Sequence, residues 1–115
     1  MIQPGDVLLL NFPFSASEDK PFKKRPVLVL GGPSGRGIEE AFLVAMVTGS
    51  GDRLANPRDT DVRLDHIGAG LRMPSVVRAN RIWAAESRDV AEVLGKVTLE
   101  ELEQVQSAFR KAFGL

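Results

Sequence analysis

The sequence predicts a mostly β (α+β) fold, a small β-barrel of five or six short strands with a single helix on its flank. Two observations lead there. Between residues 7 and 97 the apolar residues come in short runs cut off by Gly and Pro, the pattern of strands and turns. Only the C-terminal segment carries apolar residues at three- and four-residue steps, the period of a helix. The 115 residues suit one domain, 1–115, because two domains would each fall near the lower size limit for a stable core.

Taken in order, Val7-Leu8-Leu9-Leu10-Asn11-Phe12 is an apolar run between Pro4-Gly5 and Pro13, hence a buried first strand. Ser15 to Lys24 is polar and charged, with Phe14, Pro21 and Phe22 set among the charges, and reads as a long connecting loop. Loops of that length in compact domains are more often functional than decorative. Pro26 to Leu30 is the second strand, stopped by Gly31-Gly32-Pro33, and Ala41 to Thr48 the third, stopped by Gly49-Ser50-Gly51-Asp52. The glycines between these two strands read as a hairpin turn. They do not spell a phosphate loop, because Gly37 is followed by Ile38-Glu39 and by no helical pattern.

Residues 53–58 read as loop, and Thr60 to Asp65 alternates like a half-exposed strand. Ser75 to Ala79 and Arg81 to Ala85 form one bent strand or two abutting ones. The stretch from Ser87 to Leu94 is ambiguous, a helical turn running into a short strand at Val93 to Val97. Thr98-Leu99-Glu100-Glu101 has the form of a capping box, with Thr98 as N-cap. From there Leu99, Leu102, Val105, Phe109, Ala112 and Phe113 fall on one helix face, which Gly114 closes.

Composition excludes much chemistry. With no cysteine there are no disulfides, Cys-zinc sites or thiol nucleophiles. His66, the one histidine, reads as a surface loop residue, and no Tyr is present. Asp59, Asp61 and Asp65 read as solvated side chains rather than metal ligands. No leader segment and no apolar run near the ~20 residues of a membrane span is visible, so a soluble, cytoplasmic protein is expected. The 15 basic and 15 acidic side chains cancel, yet residues 18–85 carry eleven cations against eight anions, and ten of the fifteen cations are Arg. Arg suits planar, bidentate recognition of phosphate or carboxylate.

Lys20, Lys23, Lys24 and Arg25, interleaved with Phe22, combine phosphate-neutralising charge with a ring on which an unpaired base can stack. Taken alone, such a loop is more often merely a solvated one. Arg25 stands apart from its neighbours, because Pro26 biases its backbone toward an extended geometry. Thr48 ends its strand, and strand ends are where sites gather.

In chain order, Gly5-Asp6-Val7, Lys24-Arg25-Pro26-Val27-Leu28-Val29 and Val44-Ala45-Met46-Val47-Thr48 resemble the opening and third strand of the PemK/MazF toxins of bacterial toxin–antitoxin systems. Gly70-Leu71-Arg72-Met73-Pro74-Ser75-Val76-Val77, Arg81-Ile82 and Leu94-Gly95-Lys96-Val97 extend the similarity over nearly the whole chain. The resemblance implies an SH3-like barrel of the PemK/MazF–CcdB toxin type and a homodimer. It further implies sequence-specific, metal- and cofactor-independent endoribonuclease activity on single-stranded RNA (an mRNA interferase). It implies neutralisation by a cognate antitoxin through that partner's C-terminal segment. On this resemblance Arg25 and Thr48 match the catalytic pair. The loop from Ser15 to Lys24 matches the substrate-covering loop, and the expected substrate-binding residues are Lys20, Phe22, Lys23 and Lys24 of that loop, Phe14 just before it and Ser50 just after Thr48. The alternative of another class is a non-catalytic toxin of the same barrel that binds and inhibits DNA gyrase through its terminal helix.

Overall fold

The computed structural model describes residues 2–12, 23–34 and 40–115. Their elements run β1 (Asp6–Phe12), β2 (Lys23–Ser34), β3 (Ala41–Thr48), α1 (Gly51–Ala55), β4 (Asp61–Leu64), β5 (Ser75–Glu86), β6 (Val90–Lys96) and α2 (Leu99–Phe113). A turn of 3-10 helix at Ser87–Asp89 joins the last two strands. The strands form one antiparallel sheet in the order β4-β5-β3-β2-β1-β6. Among the described residues no ladder joins β4 to β6, so the expected barrel is an unclosed six-stranded sheet. β4 spans only four residues and pairs with β5 alone, and register shifts in three of the ladders bend the sheet in place of closure.

Both faces of the central strands are buried. On one, Val7, Leu28, Ala45, Val47 and Val77 pack with Leu102 and Val105 of α2. On the other, Leu8, Leu10, Val27, Val29, Phe42 and Val44 form a second cluster with Phe12 and Ala85. Successive residues of β1 and β2 therefore enter opposite cores, which is why these strands read as unbroken apolar runs rather than as alternation.

Several boundaries differ from the sequence reading. β2 begins at Lys23 rather than Pro26, because Lys23 and Lys24 pair with Phe12 and Asn11 of β1. It also continues through Gly31-Gly32-Pro33 to Ser34, with register shifts against β3 absorbing those residues. The antiparallel pairing of β2 with β3 agrees with the expected hairpin. Residues 53–58, read as loop, supply the end of α1, whose five residues are too few to display a period. β6 starts at Val90, three residues before the expected position, while β5 is a single strand.

The capping box of α2 is present. The Glu101 N–H donates to Thr98 Oγ1 at 3.1 Å, and Glu101 Oε1 accepts from the Thr98 N–H at 2.9 Å. The second carboxylate oxygen, Oε2, accepts from the Asp65 N–H at 2.8 Å and ties the helix start to the end of β4. Such a cap is worth about 1 kcal/mol. The apolar face is narrower than its spacing implied. Leu102 and Val105 are buried, but Leu99 and Phe113 lie in the first and last turns and are 72% and 51% exposed, because the sheet supports only the middle of the helix.

The loop from residue 65 to 74 and β6 come close together at their backbones. Gly70 has φ +75°, and a Cβ there collides with the Leu94 carbonyl; a Cβ on Gly95 would lie 2.6 Å from the Ala69 backbone. Neither position has room for a side chain.

Candidate functional site

The β2–β3 register pairs Val27 with Met46, and continuing it two residues sets Arg25 across from Thr48. On the other side of β3, Met46 pairs with Arg78 and Thr48 with Val76. Residues paired across strands, or two apart along one, share a face. Arg25, Thr48 and Arg78 thus leave the sheet on the face that carries Val27 and Met46.

Two grooves meet at this point. The first, about 480 Å3, is lined by Arg25, Met46, Val47, Thr48, Arg78, Arg81, Ile82 and Trp83. The second, about 690 Å3, shares Arg25, Val47 and Thr48 and adds Lys23, Lys24, Arg72, Met73 and Glu92 among others. Among the described residues the two grooves bring together six cations against one carboxylate, Glu92. Such a surface attracts an anion.

Two of the guanidinium groups are incompletely satisfied among the described residues. Arg25 Nε and Arg78 Nε are both buried and have no hydrogen-bond partner there. Burial lowers the pKa of Arg78, and repulsion from Arg53 and Arg81 lowers it further, against the attraction of Asp61. An anion bound there would supply the missing acceptor. At Thr48, the Ser50 N–H donates to Oγ1 at 3.2 Å, which leaves the hydroxyl proton free to be given to a ligand.

Of the residues expected from the sequence, Arg25 and Thr48 sit together where the grooves meet, and Lys23 and Lys24 line the second groove. Ser50 lines neither; its backbone N–H reaches Thr48, while its side chain makes no cap bond to α1. Phe14, Lys20 and Phe22 lie outside the described residues. The sequence reading missed Arg78, Arg81 and Trp83. They are gathered by a bulge in β5: Ala45 pairs with Ile82 but the next residue, Met46, pairs with Arg78, so Ala79, Asn80 and Arg81 have no partner on β3. The Ala79 N–H donates to Thr60 O at 2.9 Å instead. Bulges of this kind re-aim side chains beside functional sites. The available signal was a pair of arginines three residues apart in a largely apolar strand.

Asp61 corrects the expectation of a solvated aspartate. Its side chain is fully buried, and its carboxylate accepts from Arg53 Nε at 3.0 Å, Arg53 Nη2 at 2.9 Å and the Arg58 N–H at 2.9 Å. It pairs across the ladder with Arg78. Burial by itself raises its pKa, but the Arg53 and Arg58 hydrogen bonds and the charges of Arg53 and Arg78 more than reverse this, so the carboxyl titrates below its ordinary value. A folded-state pKa below the unfolded one contributes stability above the unfolded value, which is lost as pH falls through the folded one. Asp61→Asn is therefore expected to cost roughly 2–3 kcal/mol at pH 7. The gap to the wild type should narrow below about pH 4. Denaturant melts of both proteins at pH 7 and pH 3 check this, and a gap of equal size at both would refute it.

Among the described residues no three His, Cys, Asp or Glu side chains cluster as a metal site requires, and no helix is long and apolar enough to cross a membrane.

The fold is thus an antiparallel sheet with a C-terminal helix and a cationic groove at its strand ends. Residues 3–113 match the family model of the PemK-like, MazF-like toxins of type II toxin–antitoxin systems, and the chain belongs to that family. No curated protein matches the sequence. Among solved structures, MazF of Deinococcus radiodurans is 23% identical, with 99% of this chain and 97% of that one covered at a TM-score of 0.74. The Mycobacterium tuberculosis toxin MazF-mt6 is 24% identical, with 96% and 97% covered at a TM-score of 0.71. An endoribonuclease in complex with its cognate antitoxin, from a mycobacterial species, is 16% identical, with 100% and 97% covered at a TM-score of 0.74. These likenesses establish the shared fold, and they lend no support to the gyrase-binding alternative.

Proposed function

We propose that this chain is a sequence-specific, metal-independent endoribonuclease toxin acting on single-stranded RNA such as mRNA. The observation that carries the reading is the meeting of Arg25 and Thr48, across adjacent strands, in grooves lined by six cations and one carboxylate. RNA brings its own nucleophile. The 2′-oxygen forms a bond to the adjacent phosphorus as its proton passes to water, the bond from phosphorus to the 5′-oxygen breaks, and that oxygen gains a proton. The products are a 2′,3′-cyclic phosphate and a 5′-OH. Charge grows on the non-bridging oxygens along the way, and a guanidinium aimed at them stabilises the transition state more than the ground state. Arg25 takes that role by bidentate donation, and Arg78, with its own unpartnered Nε, is placed to share it. Thr48 donates its hydroxyl proton and orients the phosphate. Lys23 and Lys24 neutralise flanking phosphates, and residues of the preceding loop (Phe14, Lys20 and Phe22) cover the substrate.

In this reading the active form is a cytoplasmic homodimer, and an antitoxin whose C-terminal segment is acidic and partly apolar silences it by occupying the cationic grooves. MazE–MazF of Deinococcus radiodurans is a structural neighbour, 22% identical at a TM-score of 0.72. The test is incubation of the purified protein with long RNA and mapping of new ends. The reading expects 5′-OH ends at a recurring short sequence, cutting that survives excess EDTA, and a mass by light scattering twice that of the 12.5 kDa chain. Intact RNA after incubation with folded dimer, or ends that carry a 5′-phosphate, would overturn it.

A further inference from the structure

Arg78 faces a carboxylate that it does not bind. Asp61 lies directly across the β4–β5 ladder, on the same face, where opposite charges normally pair with Cβ atoms about 5 Å apart. The two charges feel each other, yet the hydrogen bonds of the carboxylate run to α1 and the turn after it. Asp61 Oδ1 accepts from Arg53 Nη2 at 2.9 Å, and Oδ2 accepts from Arg53 Nε at 3.0 Å and the Arg58 N–H at 2.9 Å. This fork occupies both oxygens, and with Asp61 wholly covered and Arg53 16% exposed, water screens little of the pair. Arg78 meanwhile lines the first groove with a buried Nε that has no partner among the described residues, beside the like charges of Arg53 and Arg81. Apolar residues of similar volume serve a core as well as a buried ion pair does, so packing alone does not account for this one.

We propose that Arg53 is a positioning residue for Arg78: by engaging both oxygens of Asp61 it keeps this carboxylate off the guanidinium, which stays available in the groove for a substrate phosphate. The role rests on the nuclease reading for its ligand, whereas the clamp itself belongs to the free protein. Without Arg53, Asp61 is a buried charge with one backbone donor, and Arg78 is the other cation whose charge reaches it. Arg78 then turns to Asp61, and an internal ion pair replaces the contact to substrate.

Two substitutions break the same ion pair from opposite ends, and the proposal sets them apart. Arg53→Gln leaves Asp61 charged and is expected to slow cleavage roughly 100-fold per folded molecule, as loss of one donor to the reacting phosphate does. Asp61→Asn leaves no carboxylate to capture Arg78 and should cut nearly as fast as the wild type. The Arg53→Gln/Asp61→Asn double variant should recover most of the loss. Both single variants loosen α1 alike, along with the N-cap Ser50 whose N–H holds Thr48, so a merely structural role predicts equal losses. Binding of an uncleavable 2′-O-methyl strand should lose about 0.7 from the slope of log K against log salt in Arg53→Gln, the share of one phosphate contact. Arg58→Gln removes the same unit of charge but keeps the fork and the backbone donor, and should alter neither rate nor slope. Capture is also read without RNA. The Arg78 Nε–H resonance of the free protein should exchange more slowly in Arg53→Gln and return to wild-type behaviour in the double variant. If Arg53→Gln folds poorly, Arg53→Lys, which keeps the charge but not the fork, should show the same signs in smaller size. Equal losses in the two single variants, or an Arg78 resonance unmoved by Arg53→Gln, would overturn the proposal. A wild type that cuts RNA without such capture keeps the nuclease and loses the positioning role. One that cuts nothing loses the nuclease, and the resonance still decides the clamp.

Discussion

Arg25→Ala is expected to slow RNA cleavage by roughly a thousandfold or more while the protein stays folded, in line with the cost of removing a preorganised donor or arginine from a phosphoryl transition state. Arg25 contributes little to the core. Its Nε is buried with no partner among the described residues, so truncation breaks no hydrogen bond to them at that atom. The loss should appear in kcat rather than KM, because Lys23, Lys24, Arg72, Arg78 and Arg81 still line the grooves and hold the strand. Thr48→Ala should cost less, about tenfold, since it removes a neutral hydrogen bond in place of a charged one. Single-turnover cleavage of one mapped RNA by the wild type and both variants, with thermal melts as the folding control, decides the matter. An active, folded Arg25→Ala protein would take Arg25 out of the chemistry, and the reverse ranking would hand the larger role to Thr48.

A comparable loss is expected from the substrate side. Replacing the 2′-OH by hydrogen at the one scissile nucleotide of an otherwise all-RNA strand should stop cleavage there altogether, because the attacking atom is gone. Affinity should fall by much less, since the phosphate contacts remain. Cutting at the deoxy position at the normal rate would mean that water attacks the phosphorus, and Arg25 with Thr48 could not then be the whole machinery. The two experiments address opposite partners of the same bond change, so agreement between them would exclude a contaminating nuclease.

The sequence made most of the strands and the terminal helix legible, and the reasons are local. β1 and β3 are apolar runs ended by Pro or Gly, and α2 announces itself through Thr98 and Glu101. Arg25 and Thr48 were legible because each lies near the end of such a run. What escaped depends on pairing between distant segments. Lys23 and Lys24 belong to a strand only because Asn11 and Phe12 lie beside them. Arg78, Arg81 and Trp83 converge on the groove only because three residues of β5 bulge where it meets Ala45 and Met46, and no periodicity along β5 reveals a shift between two strands. Asp61 looked solvated because its spacing is that of an exposed strand position, whereas its burial is produced by Arg53, eight residues earlier, folding back from α1 to clamp it. Closure of the sheet was over-predicted for a similar reason: a count of strands does not reveal how short β4 is or which neighbours it finds.

The backbone contact between Gly70 and Gly95 bears on how this protein can diverge. Arg72 and Met73, two and three residues beyond Gly70, are exposed and line the second groove. Their loop approaches β6 through main-chain atoms at Ala69, Gly70, Leu94 and Gly95, and none of the atoms that set this approach belongs to residue 72 or 73. Mutation at residues 72 and 73 can change the charge and shape presented to a ligand without moving the scaffold beneath, whereas any side chain added at residue 70 or 95 forces the two segments apart. Robustness is concentrated in two glycines, and variability is left to the residues beside them. A lineage under pressure to recognise new targets, or to escape one antitoxin and keep another, has there a surface it can rewrite at little cost to stability.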